Sequence, residues 1–137
     1  MYKSTITIIC LIIFSPANLL FSQENNNILK HINISEQSKI EKVNVDILEE
    51  TIHFSFSISC NTRAGVVKVE IYNPKGEKVD NITVKNLIKK ASLVENVNGQ
   101  LNKKIKYPDK GIWVIKIIPN NSIASISISC NLKNESK

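Results

Sequence analysis

The chain has 137 residues, of which 42% are hydrophobic, with a formal net charge of +6 and three cysteines. That length fits a single domain. Of the 18 basic residues only Arg63 is an arginine, so the bidentate fork that reads phosphates and base edges is nearly absent. The composition therefore argues against nucleic acid as a partner and leaves general attraction to anionic surfaces.

Residues 1–4 carry one cation, Lys3, and residues 5–20 are mostly apolar, interrupted by Pro16 and Asn18. Ser22 then precedes a polar run from Gln23. A charged start, a short apolar segment and a small residue before polar sequence is the pattern of a secretory signal peptide, here 1–22. A permanent span needs about 20 uninterrupted apolar residues, so no membrane span is expected once the signal is removed. Cys10 would leave with it. The expected location is secreted, periplasmic or on the cell surface.

Residues 23–37 are polar and Asn-rich and read as a flexible leader able to add an edge strand. The domain proper is expected over 38–131. Ile40, Val43, Val45 and Ile47 predict a strand with one change of phase, closed by a polar turn at Glu49-Glu50. Ile52, Phe54, Phe56, Ile58 and Cys60 alternate with His53, Ser55, Ser57 and Ser59, which predicts one buried and one wet strand face. Residues 61–65 read as a loop, and Val67, Val69 and Ile71 as the inner face of a third strand. Asn73-Pro74-Lys75-Gly76 is a turn, with φ fixed by Pro74 and left-handed φ available at Gly76. Val79, Ile82 and Val84 continue as a strand. Residues 85–90 fit either a helical turn or a crossing loop.

Asn98-Gly99 is a strong two-residue hairpin signal, with Leu101, Ile105 and Tyr107 on the return strand. Pro108-Asp109-Lys110-Gly111 makes the next turn. Trp113, Ile115 and Ile117 form another inner face, 119–121 a turn, and Ala124, Ile126, Ile128 and Cys130 the last one. Residues 132–137 read as a polar tail. Seven or eight short strands at this spacing predict an all-β, antiparallel β-sandwich of jelly-roll or immunoglobulin-like type.

Cys60 and Cys130 end strands of matching phase. In an exported chain they are expected to form a disulfide, closing a loop of about 70 residues worth about 4 kcal/mol in the chain-entropy model. The alternative is two separate buried thiols.

Chemistry-bearing groups are sparse. His31 and His53 have no Cys, Asp or Glu at metal-ligand spacing, so no metal or other cofactor is expected. The acidic pairs fall in predicted turns, not across a cleft. The serines at 55, 57, 59 and at 125, 127, 129 occupy wet strand positions and lack a base and an oxyanion site. If the two strands are neighbours, those serines make a flat hydroxyl surface suited to a glycan, ice or another sheet. Trp113 is in phase with Ile115 and Ile117, which favours core packing over ligand stacking. Tyr72 and Tyr107 border turns and are better placed for exposed contacts.

Residues 69–79, 107–117 and 125–129 resemble, in strand-and-turn layout, the bacterial pre-peptidase C-terminal and related jelly-roll domains of exported proteins. The resemblance covers about half of the chain beyond the signal and rests on Tyr72-Asn73-Pro74-Lys75-Gly76 and on 108–117. It implies a β-sandwich accessory module involved in binding or secretion. The combined expectation is a small exported module that binds or scaffolds without catalysis, with a secreted inhibitor or carbohydrate-binding module as the alternative. The expected contacts are Tyr72, Pro74, Gly76, Tyr107 and Trp113, at the 74–76 and 108–111 ends. The expected partner is an extracellular or envelope protein or polysaccharide.

Overall fold

A computed structural model describes residues 25–87 and 95–136. The expected signal peptide lies outside the described residues, as do residues 88–90 of the stretch that fits either a helical turn or a crossing loop; residues 85 and 86 belong to β4. Six strands follow in chain order: β1 (Asn25–Ile34), β2 (Glu41–Ile47), β3 (Thr51–Tyr72), β4 (Lys78–Asn86), β5 (Val97–Lys106) and β6 (Gly111–Asn134). All pairings are antiparallel and join into one hydrogen-bonded sheet. The all-β, antiparallel expectation holds, with six strands instead of seven or eight.

The count falls because β3 and β6 each run through a segment that reads as a loop or turn. On β3 the buried positions are even from Phe54 to Thr62, and the buried apolar positions are odd from Val67 to Ile71. On β6 they are odd through Ile117 and even from Ala124. A change of parity in a strand requires an extra residue. The β3–β6 register shifts between Thr62 and Ala64 and again between Ala64 and Val66, opposite 120–124 of β6. Gly65 and Asn121 both have left-handed φ there, 77° and 43°.

This shared bend folds the sheet back on itself. Before it, β3 pairs with β5 and with the second half of β6, which carries β1. After it, β3 pairs with β4 and with the first half of β6, which carries β2. The rings of Phe54 and Trp113 lie 5.3 Å apart, edge to face. Yet Phe54 is 18 residues along β3 from Tyr72, which faces Val114; a straight strand would put about 60 Å between them. Between the two halves sits one apolar cluster built on Phe54, Phe56, Ile58, Val69, Ile71, Trp113, Ile115, Ile126 and Ile128.

The segment read as a leader able to add an edge strand supplies one: β1 pairs with β6 alone and buries Ile32 and Ile34. Other details depart from the sequence reading. The expected polar tail starts too early, because β6 continues to Asn134 and buries Leu132 opposite Phe54. Asn98 and Gly99 are not a hairpin turn; they pair with Asn61 and Cys60 inside β5. A Cβ on Gly99 would come within 2.3 Å of Val84 Cγ2, so this glycine serves the close approach of β5 to β4. Lys103 and Asp80 join the same two strands at 3.0 Å.

The expected disulfide is not formed. Cys60 and Cys130 are free, buried thiols. Cys60 faces Ile126 and Cys130 faces Phe56, an offset of four positions, or about 13 Å along the strands. That exceeds the Cα separation of about 7 Å beyond which a bridge cannot close. Matching phase put both cysteines on one face, but phase carries no information about register. Burial raises both thiol pKa values, that of Cys130 to about 11.

Two outcomes follow. Alkylation in denaturant without reductant will label both thiols, whereas the folded protein at neutral pH will resist labelling; a mass shift that needs prior reduction would restore the bridge. Gly76→Ala, with nothing within 4 Å of the new Cβ, will cost about 1 kcal/mol in chemical denaturation. Gly65→Ala drives its Cβ to 2.1 Å from the Asn121 carbonyl oxygen and will cost about 3 kcal/mol or more.

Candidate functional site

Two turns meet at one end of the sheet. In the β3–β4 connection, Asn73 organises the chain. Its Oδ1 accepts from the Lys75 and Glu77 amides at 3.1 and 2.9 Å, its Nδ2 donates to Glu77 Oε2 at 2.8 Å, and the Gly76 amide donates to its carbonyl at 3.0 Å. This is the self-bonded turn that Asn favours. In the β5–β6 connection, Tyr107 has φ of 50° and its amide donates to the Ile52 carbonyl at 2.7 Å. Lys110 Nζ donates to the Thr51 carbonyl, and Trp113 Nε1 to that of Asp109 at 2.9 Å. Gly111, at φ 118°, lies against Pro74; a Cβ there would sit 3.1 Å from Pro74 Cβ.

Beside this junction the outer face of β2, β6 and β3 forms a depression of about 450 Å³. It is lined by Tyr72, Asn73, Pro74 and Gly76 from the β3 end, by Ile112, Val114 and Lys116 from β6, and by Lys42 from β2. Ile112 is 54% exposed. In the register Lys42 faces Lys116, and Lys116 faces Glu70 on its other side. Glu70 is buried and already engaged: Lys68 Nζ lies 2.6 Å and Lys78 Nζ 3.6 Å from Oε1, and Tyr72 Oη donates to Oε2 at 2.6 Å. The Lys68 hydrogen bond, then that of Tyr72, holds the Glu70 pKa down at about 2. The same bond raises that of Tyr72.

Of the residues expected to make contacts, Tyr72, Pro74 and Gly76 share the groove. Tyr107 is 78% exposed on the adjoining turn and does not line it. Trp113 is buried in the core, as its phase with Ile115 and Ile117 favoured, so its expectation as a ligand contact is corrected. The sequence reading missed Lys42, Ile112, Val114 and Lys116. The signal was present: residues 112–118 are apolar at both parities except at Lys116, so the outer face of β6 is largely apolar as well as the inner one.

A second surface lies on the other half of the sheet. The serine-bearing strands are neighbours in register, with Ser57 opposite Ser129 and Ser59 opposite Ser127. β1 and β5 extend the rows with His31 and Gln100 on one and Leu29 and Asn102 on the next. Ser127 Oγ and His31 Nδ1 are 2.8 Å apart. A shallow depression of about 420 Å³ there is lined by Ser55, Phe56, Ser57, Asn102, Lys103, Lys104, Ser129 and Asn131. Among the described residues no group of three or more His, Cys, Asp or Glu side chains is placed to hold a metal ion. Nor is any described helix long and apolar enough to cross a membrane.

No protein-family model and no curated protein matches this sequence. Among solved structures, the chain is similar to part of dimeric latent PorU from Porphyromonas gingivalis, with a TM-score of 0.56 and 9% identity over 83% of this chain. It spans only 14% of that chain. It also matches a structure described as Bacillus endospore appendages forming a novel family of disulfide-linked pili, with a TM-score of 0.45 and 8% identity over 81% of this chain and 88% of that one. The first likeness is one of fold. The resemblance to pre-peptidase C-terminal domains is accordingly met at the level of a β-rich fold, with no family match behind it.

The depressed Glu70 pKa gives a pH dependence of known sign. The unfolded chain takes up this proton near the ordinary value of 4.5 and the folded chain near 2, so the stabilisation is complete above about 4.5 and is lost as pH falls towards 2. In urea titrations Glu70→Gln will flatten that acid loss of stability, and an unchanged slope would remove Glu70 as its source.

Proposed function

We propose that the chain is an exported, non-catalytic β-sandwich module that binds its ligand in the groove beside the 73–77 and 107–111 turns. The observation that carries this reading is the convergence of Tyr72, Pro74 and Gly76, from one turn, with apolar and cationic side chains of β6 and β2 in one depression. Concave sites with an apolar floor and a few polar groups are where small ligands and chain segments are held. The folded-over sheet with a shared core is the sandwich of this reading. The charged and apolar pattern of 1–22 supports export. The scatter of histidines and acids supports a binding role over a chemical one.

A second reading puts the ligand on the serine face. It is favoured by the in-register rows of Ser57 with Ser129 and Ser59 with Ser127, whose hydroxyls suit a neutral glycan.

Backbone amide shifts, followed while short oligosaccharides and peptides are titrated into the protein, separate the two. The groove reading predicts saturable shifts at Tyr72, Gly76 and Val114 and at least tenfold weaker binding in Tyr72→Ala. Shifts confined to Ser57, Ser59, Ser127 and Ser129 would move the site to the serine face. Turnover of any compound, abolished by a single substitution, would overturn the non-catalytic reading.

A further inference from the structure

We infer that the groove is built for an acidic polysaccharide, a chain of uronic-acid sugars whose carboxylates lie over Lys42 and Lys116. The inference rests on the reading of the groove as the binding site and adds the class of ligand.

The groove breaks a local rule of sheet pairing. Lys42 and Lys116 are direct partners on neighbouring strands, and like charges directly opposite each other weaken a sheet. Among the described residues neither takes part in an ion pair; the three pairs formed are Lys68–Glu70, Lys78–Glu70 and Lys103–Asp80. Glu70 faces Lys116 across the ladder, but its carboxylate is taken by Lys68, Lys78 and Tyr72. Glu77 is engaged by Asn73. Asp46, two positions further along the same face of β2 and opposite Ile112, pairs with neither lysine. Lys42 and Lys116 are therefore cross-strand partners of like charge with no ion pair to either among the described residues, and places where a fold violates its own pairing rules are characteristic of binding sites. An anion bridging the two would remove the repulsion.

The position of the groove over paired strands favours a sugar over a peptide strand. The floor of the groove is β6, hydrogen-bonded to β2 on one side and to β3 on the other. An extended peptide adds to a free sheet edge; the free edge beside the groove is that of β2, which pairs with β6 alone, whereas the depression lies over the face of β6, where a ligand is read by side chains. Tyr72 has its hydroxyl committed to Glu70, which fixes the side chain and leaves the ring to act as a surface. Pro74, Ile112 and Val114 continue that apolar surface. An apolar wall beside fixed cations suits the C–H face of a sugar ring that carries a carboxylate. The depression of about 450 Å³ falls within the roughly 300–1,000 Å³ of small-ligand sites. The overall charge of +6 draws a polyanion to the surface over a longer range.

The test is calorimetric titration of the protein with polygalacturonate, with its fully methyl-esterified form and with neutral dextran, at low and high salt. The inference predicts saturable binding of polygalacturonate, at least tenfold weaker in Lys42→Gln and in Lys116→Gln, and weakened by salt. Esterification will weaken it at least tenfold, and dextran will not bind. Lys104→Gln, on the serine face, will bind like the parent. Both groove variants will melt no lower than the parent, since each relieves an unfavourable opposition. Equal binding of the esterified polymer, abolished by Tyr72→Ala, would overturn the acidic ligand and leave the groove in place. No binding of polygalacturonate, or equal loss with Lys104→Gln, would overturn the inference. Lower melting of both lysine variants would show that the pair serves the fold and would also overturn it.

Discussion

Everything in this fold depends on β3 and β6 staying paired through a bend. Each strand supplies both halves of the structure, and together they carry the other four strands as flanking pairs. The bend is possible because each chain gains residues relative to a regular ladder at the same level, around Gly65 on β3 and Asn121 on β6. Without it the sheet would be flat and its apolar face would have nothing to pack against. With it, Phe54 reaches Trp113 and one core serves both halves. Asn86 supports the corner by donating to the Thr62 carbonyl at 2.9 Å, which satisfies a backbone acceptor where the ladder is irregular.

Folding one sheet back on itself leaves two outer faces of different chemistry. The face of β1, the second half of β6, the first half of β3 and β5 is a lattice of serine, asparagine and lysine in which Leu29 and Ile123 are exposed apolar members. The face over β2, the first half of β6 and the second half of β3 is apolar at Ile112 and Val114 and cationic at Lys42 and Lys116. The turns that abut at Pro74 and Gly111 close one end of this second face and make it concave. The same residues that end strands thus also shape the groove.

Much of this was legible in the sequence, and the failures share a cause. Alternation identified the inner faces of Phe54 to Cys60, Val67 to Ile71, Trp113 to Ile117 and Ala124 to Cys130, because period-two burial is a local property. The 73–76 and 108–111 turns were legible from Pro and Gly for the same reason. What failed was register. The parity changes at 62–67 and 117–124 look like strand ends, whereas the structure carries the strands through as a shared bend. Asn98-Gly99 has the composition of a hairpin, yet Gly99 answers to Val84 on another strand. Cys60 and Cys130 share a face but stand four positions apart. The opposition of Lys42 and Lys116 is likewise a fact of register, invisible until the strands are aligned, whereas Tyr72, Pro74 and Gly76 could be singled out from one turn.

The central claim is a single sheet, continuous through β3 and β6 and folded so that its two halves share a core. The most direct measurement is a set of nuclear Overhauser contacts in the intact protein. The account predicts contacts between the Phe54 ring and the Trp113 indole, together with cross-strand contacts pairing Ser57 with Ser129 and Val69 with Ile117. Finding the cross-strand pairs without the Phe54–Trp113 contact, or finding Cys60 directly beside Cys130, would contradict it.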